Sequence, residues 1–346
     1  MIKGSNRLDT VKEYYFSKKL REVASLIKSG KPIINMGIGS PDLFPSKTVI
    51  NILKNSLSDL NSHRYQSYQG LPELREAISK FYLKFFKVKS SPVDEILPLM
   101  GSKEGIMHIS MAFLNKGDKV LIPNPGYPTY LTVTNLVEAT PVFYDLKKEN
   151  NWFPDLVELQ KKDLKKVKIM WINYPHMPTG SSATKKQLSE LIKFSAKNNI
   201  LLINDNPYSF ILNDDFISLL TINKAKENCM ELNSLSKSFN LSGWRVGMLL
   251  GSKENISRVL KVKSNMDSGM FYGIQKGAIE ALNLDKKWFD DLNKVYKRRR
   301  ELVWQLATIL KCKFDKNSKG LFVWAKLPNN IKSSESFIDS LLKQKK

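Results

Sequence analysis

The amino-acid sequence predicts an α/β fold with a mostly parallel β-sheet. Short, near-continuous apolar runs recur along the chain, and segments with a helical spacing of apolar residues lie between them. Such runs are typical of parallel strands that helices cover on both faces. The 346 residues are 42% hydrophobic and 25% charged, which excludes a disordered, collagen-like or coiled-coil chain.

The alternation of strands and helices begins near residue 96. A strand is predicted at 96–100, and the helix predicted at 103–115 is apolar nearly all round, which indicates a buried helix. A Pro-Asn-Pro-Gly turn at 123–126 ends the next strand, and helical spacing recurs at 188–196. The other predicted strands are 120–122, 167–172, 200–203, 229–232 and 246–250.

Both ends of the chain lie outside this pattern. A long helix is predicted from about residue 288 to about 310, followed by a strand at 321–324 and a final helix from about 333. We therefore expect a large domain and a smaller α+β domain built from both chain ends. The expected bounds are 1–47 for the first part of the small domain, 48–290 for the large domain and 291–346 for the rest.

The chain is strongly basic, with 55 Lys and Arg against 33 Asp and Glu and a net charge of +22. The basic residues are mostly scattered, which is typical of solvated helix faces. A small anionic cofactor or substrate would benefit from this charge as much as a polyanion would, so no specific nucleic-acid partner is predicted. No apolar run reaches a membrane span of about 18 residues. Two cysteines and no secretory signal favour a cytoplasmic protein.

Polar residues follow three of the predicted strands, at the sheet edge where ligands of open α/β sheets bind. Gly101-Ser102-Lys103 follows the strand at 96–100 and opens a helix, whose free N–H groups suit a phosphate. The residues after the strands at 200–203 and 229–232 are Asp205, Tyr208, Ser234, Lys237 and Arg245.

This set of side chains is the one that pyridoxal phosphate requires. A lysine amine forms a Schiff base with a carbonyl cofactor, and an acid beside the pyridine nitrogen lets the ring act as an electron sink. Lys237 and Asp205 supply these two groups, and Arg245 with the helix N–H groups at 102–103 supplies a phosphate site.

Other classes of protein fit less well. Ser234-x-x-Lys237 also occurs in acyl-transfer enzymes, but the expected downstream Ser-Asp-Asn and Lys-Thr-Gly are absent. The glycine motifs of dinucleotide and phosphate-loop enzymes are absent too. No metal site is predicted, because His63, His108 and His176 are scattered, and His108 is interpreted as a satisfied core residue. A lyase that uses pyridoxal phosphate and a basic polyanion-binding protein remain alternatives.

The chain resembles the class I/II aminotransferases of fold type I. The resemblance runs from Gly37-Ile38-Gly39-Ser40-Pro41-Asp42 to Gly320-Leu321-Phe322-Val323-Trp324, and its most specific part is Ser-Leu-Ser-Lys with Arg245 downstream of Asp205-x-x-Tyr208. It implies a seven-stranded, mostly parallel sheet covered by helices and pyridoxal 5'-phosphate as cofactor. It also implies ping-pong transamination between an amino acid and a 2-oxoacid.

The resemblance further implies a role for each matching residue. Lys237 would form the Schiff base and then move the proton at the substrate Cα, and burial with nearby cations would lower its pKa. Asp205 would hold the proton of the pyridine nitrogen, and Tyr208 would donate to the phenolic oxygen. The residues implied to contact the phosphate or the ring are Ser102, Lys103, Ser234, Arg245 and Tyr127.

Two further matches concern the neighbouring subunit and the substrate. Tyr65 matches the tyrosine that reaches the phosphate in the partner subunit, which implies a homodimer with shared active sites. Gly39 matches the glycine whose backbone approaches the substrate carboxylate.

The subfamily resemblance is to the LL-diaminopimelate aminotransferases. Gly101-Ser102-Lys103-Glu104-Gly105-Ile106 and Lys263-Ser264-Asn265-Met266-Asp267-Ser268-Gly269 carry it. It implies amino transfer between LL-diaminopimelate and 2-oxoglutarate, as in lysine biosynthesis. Those enzymes have a glutamate at the position of Tyr68, so aromatic, branched or aspartate-type donors also remain open.

Two departures from the family pattern stand out. The family motif Asn-Pro-Thr-Gly reads Met177-Pro178-Thr179-Gly180, and the methionine cannot donate the hydrogen bond that the asparagine makes to the cofactor. Family members also continue past the position of Lys346 and carry there an arginine that binds the substrate carboxylate. A truncated remnant that binds pyridoxal phosphate without transamination is therefore a further alternative.

Overall fold

One mixed sheet forms the centre of the protein. The computed structural model describes residues 2–11, 13, 15–36 and 40–344. Within these residues the main sheet has seven strands, in the spatial order β1-β7-β6-β5-β4-β2-β3. Their bounds are β1 Ile96–Leu99, β2 Lys119–Asn124, β3 Thr140–Asp145, β4 Val167–Ile172, β5 Leu201–Asp205, β6 Cys229–Ser234 and β7 Gly247–Leu250. Only β7 runs antiparallel to its neighbours, so the predicted mostly parallel seven-stranded sheet is confirmed.

Helices cover both faces of this sheet. Their bounds are α1 Tyr15–Lys28, α2 Lys47–Ser56, α3 Pro72–Phe86, α4 Ser102–Phe113, α5 Thr129–Leu136, α6 Leu156–Gln160, α7 Lys185–Lys197, α8 Leu235–Ser238, α9 Lys253–Lys263, α10 Tyr272–Asn283, α11 Lys286–Ile309 and α12 Ser334–Gln344. None of the described helices combines the length and the apolar character that crossing a bilayer requires.

The apolar runs are continuous because each strand is buried on both sides. Successive side chains of a strand point to opposite faces. In β4, Ile169 and Trp171 pack with residues of α4, α5 and α9, whereas Met170 and Ile172 pack with residues of α3, α7 and α10. Two separate cores, one on each face, therefore hold the strand ends in place.

Two predictions of strands were incomplete or wrong. The edge strand β3 was not predicted, because its side chains alternate between exposed Phe143 and buried Tyr144 and it contains Pro141. The predicted strand at 321–324 is irregular. A short hairpin pairs β8 (Lys313–Phe314) with β9 (Ala325–Lys326) instead.

The two chain ends meet through charged side chains. Lys19 of α1 lies 2.6 Å from a carboxylate oxygen of Asp339 in α12. Arg299 of α11 donates to both carboxylate oxygens of Asp42, at 2.7 and 3.1 Å. Residues that are about 250 or more positions apart in the sequence are thus brought together beside the large sheet.

Candidate active site

A cavity of about 620 Å³ opens at the carboxyl ends of the parallel strands β5 and β6. It is lined by eight residues that the sequence singled out, namely Ser102, Lys103, Tyr127, Asp205, Tyr208, Ser234, Lys237 and Arg245. Strand β5 ends at Asp205 and β6 ends at Ser234, so the sheet itself carries these side chains to one rim. Ligand sites of open α/β sheets lie at this edge.

The start of helix α4 forms a tight turn on one side of the cavity. Gly101 precedes the helix with a φ of 91°, a conformation that favours glycine. A Cβ atom on Gly101 would lie 2.3 Å from Nη2 of Arg245, and one on Gly247 would lie 2.7 Å from the N atom of Ser102. Side chains are excluded on both sides, so the guanidinium and strand β7 pack directly against the turn. The first N–H groups of a helix have no partner within it, so this turn offers the donors that an anion requires.

Arg245 is held over this turn by its own backbone and by Ser242. Its φ of 56° lies in the left-handed region, which few residues other than glycine adopt. Its Nη1 atom donates to the carbonyl oxygen of Ser242 at 2.8 Å and lies 3.5 Å from the hydroxyl of Ser236. The cationic group therefore faces the N-terminus of α4 from the loop after Lys237.

The serines of the Ser-x-Ser-Lys motif organise the short helix α8. The Ser234 hydroxyl accepts from the backbone N–H of Ser236 at 3.1 Å and donates to the Ser236 hydroxyl at 2.9 Å. This N-cap fixes the single turn on which Lys237 lies. Partial burial, and then the nearby Arg245 charge, lower the pKa of the Lys237 amine, as the sequence predicted.

Asp205 is a buried carboxyl group with half of its hydrogen-bonding capacity unused. Its Oδ2 atom accepts from the Tyr130 hydroxyl at 3.0 Å, whereas Oδ1 has no partner among the described residues. Burial raises the pKa of this carboxyl to about 7. The ring of Tyr130 stacks on Trp171, with centroids 5.0 Å apart, so the donor is itself fixed by the core.

The turn with the altered family motif holds Asn173 in a structural role. The Asn173 amide donates to the carbonyl oxygen of Asp205 and accepts from the backbone N–H of Met177 at 2.7 Å. Met177 lines the cavity, and its side chain offers no donor there. His176 is buried and does not line the cavity, and burial lowers its pKa to about 4.

A further part of the cavity wall, which we call the aromatic end, is formed by aromatic side chains. Phe16 of α1 and the segment from Phe322 to Trp324 line it, and the Phe322 ring meets the Tyr208 ring edge-on at 5.8 Å. Two backbone hydrogen bonds attach this segment to the rest of the cavity wall: Lys319 N–H donates to the Gly180 oxygen at 2.7 Å, and Gly320 N–H donates to the Ile211 oxygen at 2.9 Å. The apolar run predicted as a strand at 321–324 thus forms a wall of the cavity.

One predicted site residue does not line the cavity, and a second lies outside the part of the chain that the structure describes. Tyr65 is 92% exposed and does not line it. Gly39 lies outside the described residues.

Tyr130, Asn173 and Ser236 line the cavity but were not predicted as site residues. The signal for Ser236 was present in the Ser-x-Ser-Lys motif, whereas Tyr130 and Asn173 act on Asp205 through contacts that no local pattern indicates.

One of the three predicted scattered histidines lies beside two carboxylates. His108 is buried, as predicted, and it lies in a cluster with Glu104 and Asp267, whose ligand atoms all lie within 4.8 Å of one another. Its Nε2 atom is hydrogen-bonded to Glu104, whereas Nδ1 has no partner among the described residues. His108 is therefore a core residue, as interpreted, with one of its two ring nitrogens satisfied.

The chain belongs to the family described as "Aminotransferase class I and II", which it matches over residues 31–346. This membership makes it a pyridoxal-phosphate-dependent aminotransferase, a transferase of amino groups. The predicted fold type and cofactor are thereby confirmed.

Individual members of the family are similar to this chain over nearly its whole length. The LL-diaminopimelate aminotransferase of Natranaerobius thermophilus is 39% identical over 343 residues, 99% of this chain and 89% of the relative. The enzyme of the same name from Aquifex aeolicus is 35% identical over 344 residues, with coverages of 99% and 89%. The apo structure of BacF from Bacillus subtilis superimposes with a TM-score of 0.95 at 33% identity, covering 99% of this chain and 88% of that one.

Proposed function

We propose that this aminotransferase holds pyridoxal phosphate between Lys237 and Asp205 and exchanges amino groups between LL-diaminopimelate and 2-oxoglutarate. The observation that carries the proposal is the meeting of an amine, an acid and an anion-binding turn on one cavity. Each comes from a different strand end, and each has the chemistry that one part of the cofactor requires.

The Asp205 carboxyl group fits the pyridine nitrogen of the cofactor. Its Oδ1 atom is buried without a partner, and burial alone disfavours its charge. A protonated ring nitrogen would supply both the missing donor and the missing positive charge. Tyr130 already occupies the other oxygen, so the carboxyl has one free acceptor and a fixed orientation.

The turn before α4 fits the phosphate. The absence of a Cβ on Gly101 and Gly247 brings backbone N–H groups and the Arg245 guanidinium close together. We assign the phosphate to Ser102, Lys103, Ser234 and Arg245, and we add Ser236, whose hydroxyl lies beside Arg245. Charge-assisted hydrogen bonds to a dianion are the strongest that such groups make.

The proposed chemistry depends on the protonation of Lys237. The bound cofactor supplies an electron sink for the bonds broken at the substrate Cα. Lys237 Nζ would take the proton from the substrate Cα and deliver it to the cofactor carbon. This role requires a neutral amine. The lowered pKa of Lys237 increases the fraction of that neutral form at a given pH.

The phenolic side of the cofactor has fewer donors than in the family pattern. Met177 offers none, and the Asn173 amide is committed to Asp205 and Met177. We assign this contact to Tyr208, which is 6% exposed and lines the same cavity. We assign the stacking contact on the ring to Tyr127, which is packed edge-on against Tyr130 at 5.6 Å.

The proposal includes a homodimer with shared sites. Tyr65 is 92% exposed, which suits a side chain that completes the phosphate site of a partner subunit. The ion pairs Lys19–Asp339 and Arg299–Asp42 support a small domain made from residues 1–47 and 291–346, beside a large domain at 48–290. The two free cysteines, Cys229 and Cys312, support a cytoplasmic location.

An aromatic amino acid is a second candidate for the donor. The aromatic end of the cavity contains Phe16, Phe322 and Trp324, and such rings favour an aromatic side chain. LL-diaminopimelate carries a second charged end, which an aromatic wall does not recognise. The names of the relatives support diaminopimelate, whereas the cavity wall supports the aromatic donor.

A single-turnover experiment separates these candidates. The protein loaded with pyridoxal phosphate is mixed with LL-diaminopimelate, glutamate or phenylalanine, and the visible absorbance of the cofactor is followed. We expect LL-diaminopimelate and glutamate to convert the cofactor, with an efficiency that phenylalanine does not reach. Faster conversion by phenylalanine would favour the second candidate. A band that every donor leaves unchanged would contradict transamination and support a protein that only binds the cofactor.

A further inference from the structure

A buried or partly buried group of ionisable side chains lies directly behind the anion-binding turn. It consists of Glu104 and His108 of α4, Lys263 of α9 and Asp267, and we refer to it as the α4–α9 cluster. His108 and Lys263 are 3% and 1% exposed. None of these side chains lines the cavity. Burying charges in this way costs free energy, so the cluster calls for a functional explanation.

Glu104 fixes the turn from behind. One carboxylate oxygen accepts from the backbone N–H of Met100 at 2.5 Å, and the other accepts from Nε2 of His108 at 2.8 Å. Met100 precedes Gly101, and Glu104 follows Lys103, so this side chain closes a loop around the residues assigned to the phosphate. The front of the same turn is packed against Arg245 and Gly247.

The other half of the cluster reaches the segment that carries Tyr65. Asp267 accepts from the Lys263 amine at 2.9 Å and from the backbone N–H of Gly269 at 2.7 Å. Gly269 has a φ of 90°, and a Cβ on it would lie 2.5 Å from the carbonyl oxygen of Gln66. The residue next to Tyr65 is therefore packed against a glycine that is hydrogen-bonded to Asp267 of the cluster.

A metal ion is a less suitable explanation of this cluster. Glu104, His108 and Asp267 offer ligand atoms within 4.8 Å of one another. However, the buried Lys263 ammonium already contacts the Asp267 carboxylate and supplies the positive charge that a cation would bring. A carboxylate accepts hydrogen bonds only, so His108 Nε2 carries a proton toward Glu104, and this nitrogen is not a metal ligand in this arrangement.

We infer that Glu104 is a positioning residue for the cofactor phosphate: it holds the 100–104 turn in its anion-binding shape without touching the anion. This inference rests on the proposed phosphate site. It has a sign that distinguishes it from simple electrostatics. Removing a negative charge near an anion site would by itself tighten phosphate binding, whereas losing the hydrogen bond that shapes the turn weakens it.

The test measures equilibrium affinity of the cofactor-free protein for pyridoxal phosphate, pyridoxal and inorganic phosphate. In Glu104→Gln, the amide oxygen can accept from Met100 or from His108, whereas the amide NH₂ can only donate. One of the two hydrogen bonds is therefore lost while His108 keeps its proton on Nε2. We expect affinity for pyridoxal phosphate and for phosphate to fall about tenfold, with pyridoxal affinity unchanged. Glu73→Gln, in the first turn of α3, is the matched control and should change none of the three.

The His108 variants provide a second route that keeps the Glu104 carboxylate. His108→Leu removes the donor and should lower the affinity for pyridoxal phosphate about threefold. His108→Gln can donate again, so it should restore most of the lost affinity. Melting temperatures of all variants show whether they fold. If Glu104→Gln does not fold, this pair of variants decides the question by the same selectivity for the phosphorylated cofactor.

Several results would overturn the inference. Unchanged or tighter phosphate binding in Glu104→Gln would show that the carboxylate does not shape the turn. Equal loss of pyridoxal and pyridoxal phosphate would show a general structural effect. Stabilisation of the wild-type protein by Zn²⁺ that is lost in Glu104→Gln would assign the cluster to a metal. A wild-type protein with no preference for pyridoxal phosphate over pyridoxal would overturn both this inference and the proposed phosphate site.

Discussion

The two ends of the cavity are built in different ways. At the end that contains Lys237 and Asp205, the side chains follow strand termini. Tyr130 donates a hydrogen bond to Asp205, and Ser234 caps the turn that carries Lys237. At the aromatic end, Phe16 and Trp324 come from elements near the two chain ends and are 49% and 44% exposed. The first end is held by the sheet. The second is held by the backbone hydrogen bonds of the segment at 319–320 and by edge-on ring contacts of Phe322 with Tyr208 and of Trp324 with Trp152.

This difference suggests a division of tasks. A cofactor that is the same for every family member needs a rigid site with matched polar groups. A substrate side chain that varies between members is better met by irregular segments, which tolerate change. If this division is right, variants at the sheet end should alter cofactor chemistry for every substrate, and variants at the aromatic end should alter substrate choice alone.

The largest effect is expected at Lys237. Lys237→Ala removes both the covalent attachment point and the proton carrier, so kcat should fall by at least about 10⁴-fold. The visible band of the bound cofactor should be lost as well. Steady-state kinetics and absorbance measure both effects. Lys186→Ala, which changes an exposed lysine on α7, is the control. A Lys237→Ala protein with a normal spectrum would contradict the assignment of Lys237 as the attachment point of the cofactor.

A pH-dependent effect on stability is expected at Asp205. Its pKa in the folded, cofactor-free protein is raised from 3.8 to about 7. Between these values the unfolded chain releases the proton while the folded one keeps it, so this group's contribution to stability falls as pH rises. The contribution falls by about 1.4 kcal/mol for each pH unit in that window. Above the window it no longer changes with pH.

The Asp205→Asn variant isolates this contribution. The stability of the wild-type protein should fall relative to that of the variant between pH 4 and pH 7, as measured by urea unfolding without cofactor. Glu231, another buried carboxyl with a raised pKa, is present in both proteins and cancels. Parallel pH curves for the two proteins would mean that the folded protein does not bury a titrating Asp205.

Mixed dimers test whether the sheet end is completed by a partner. A Lys237→Ala subunit and a Tyr65→Ala subunit each lack one part of a shared site. Random pairing gives half mixed dimers with one intact site each, so the mixture should recover about a quarter of wild-type activity. Each variant alone is the control. Activity equal to the mean of the two separate variants would contradict the sharing of sites.

The smallest effect is expected at the aromatic end. Trp324→Ala should raise KM about fivefold to tenfold for an aromatic donor and less for glutamate, because one ring contact is lost. Affinity for pyridoxal phosphate should not change. Phe44→Ala, an exposed residue outside the cavity, is the control. A loss of cofactor affinity in Trp324→Ala would show that the two ends are not independent.

Much of the sheet end follows from the sequence because local pattern and chemistry coincide there. Asp205, Ser234 and Lys237 stand at the ends of apolar runs, and parallel strands bring such positions to one edge. Tyr130 and Asn173 escaped prediction because their contacts with Asp205 span 75 and 32 residues. The local pattern of apolar and polar residues does not predict contacts between residues so far apart in the sequence.

The aromatic end was harder to predict because an apolar run has more than one use. Phe322, Val323 and Trp324 have the composition of a strand, yet in the protein they line the cavity. Tertiary contacts compete with strand formation here. Lys319 and Gly320 donate hydrogen bonds to the loops that contain Gly180 and Ile211, which leaves the following residues facing the cavity. The α4–α9 cluster was missed for the same reason, since Glu104 and Asp267 meet only in three dimensions.

Locating the cofactor on the chain is the most direct test of the central claim. The protein is incubated with pyridoxal phosphate, reduced with borohydride to make the link permanent, digested, and analysed by peptide mass spectrometry. We expect a single modified residue, Lys237, among the many lysines of this basic chain. Modification spread over exposed lysines, or concentrated on one other than Lys237, would contradict the assignment of the site.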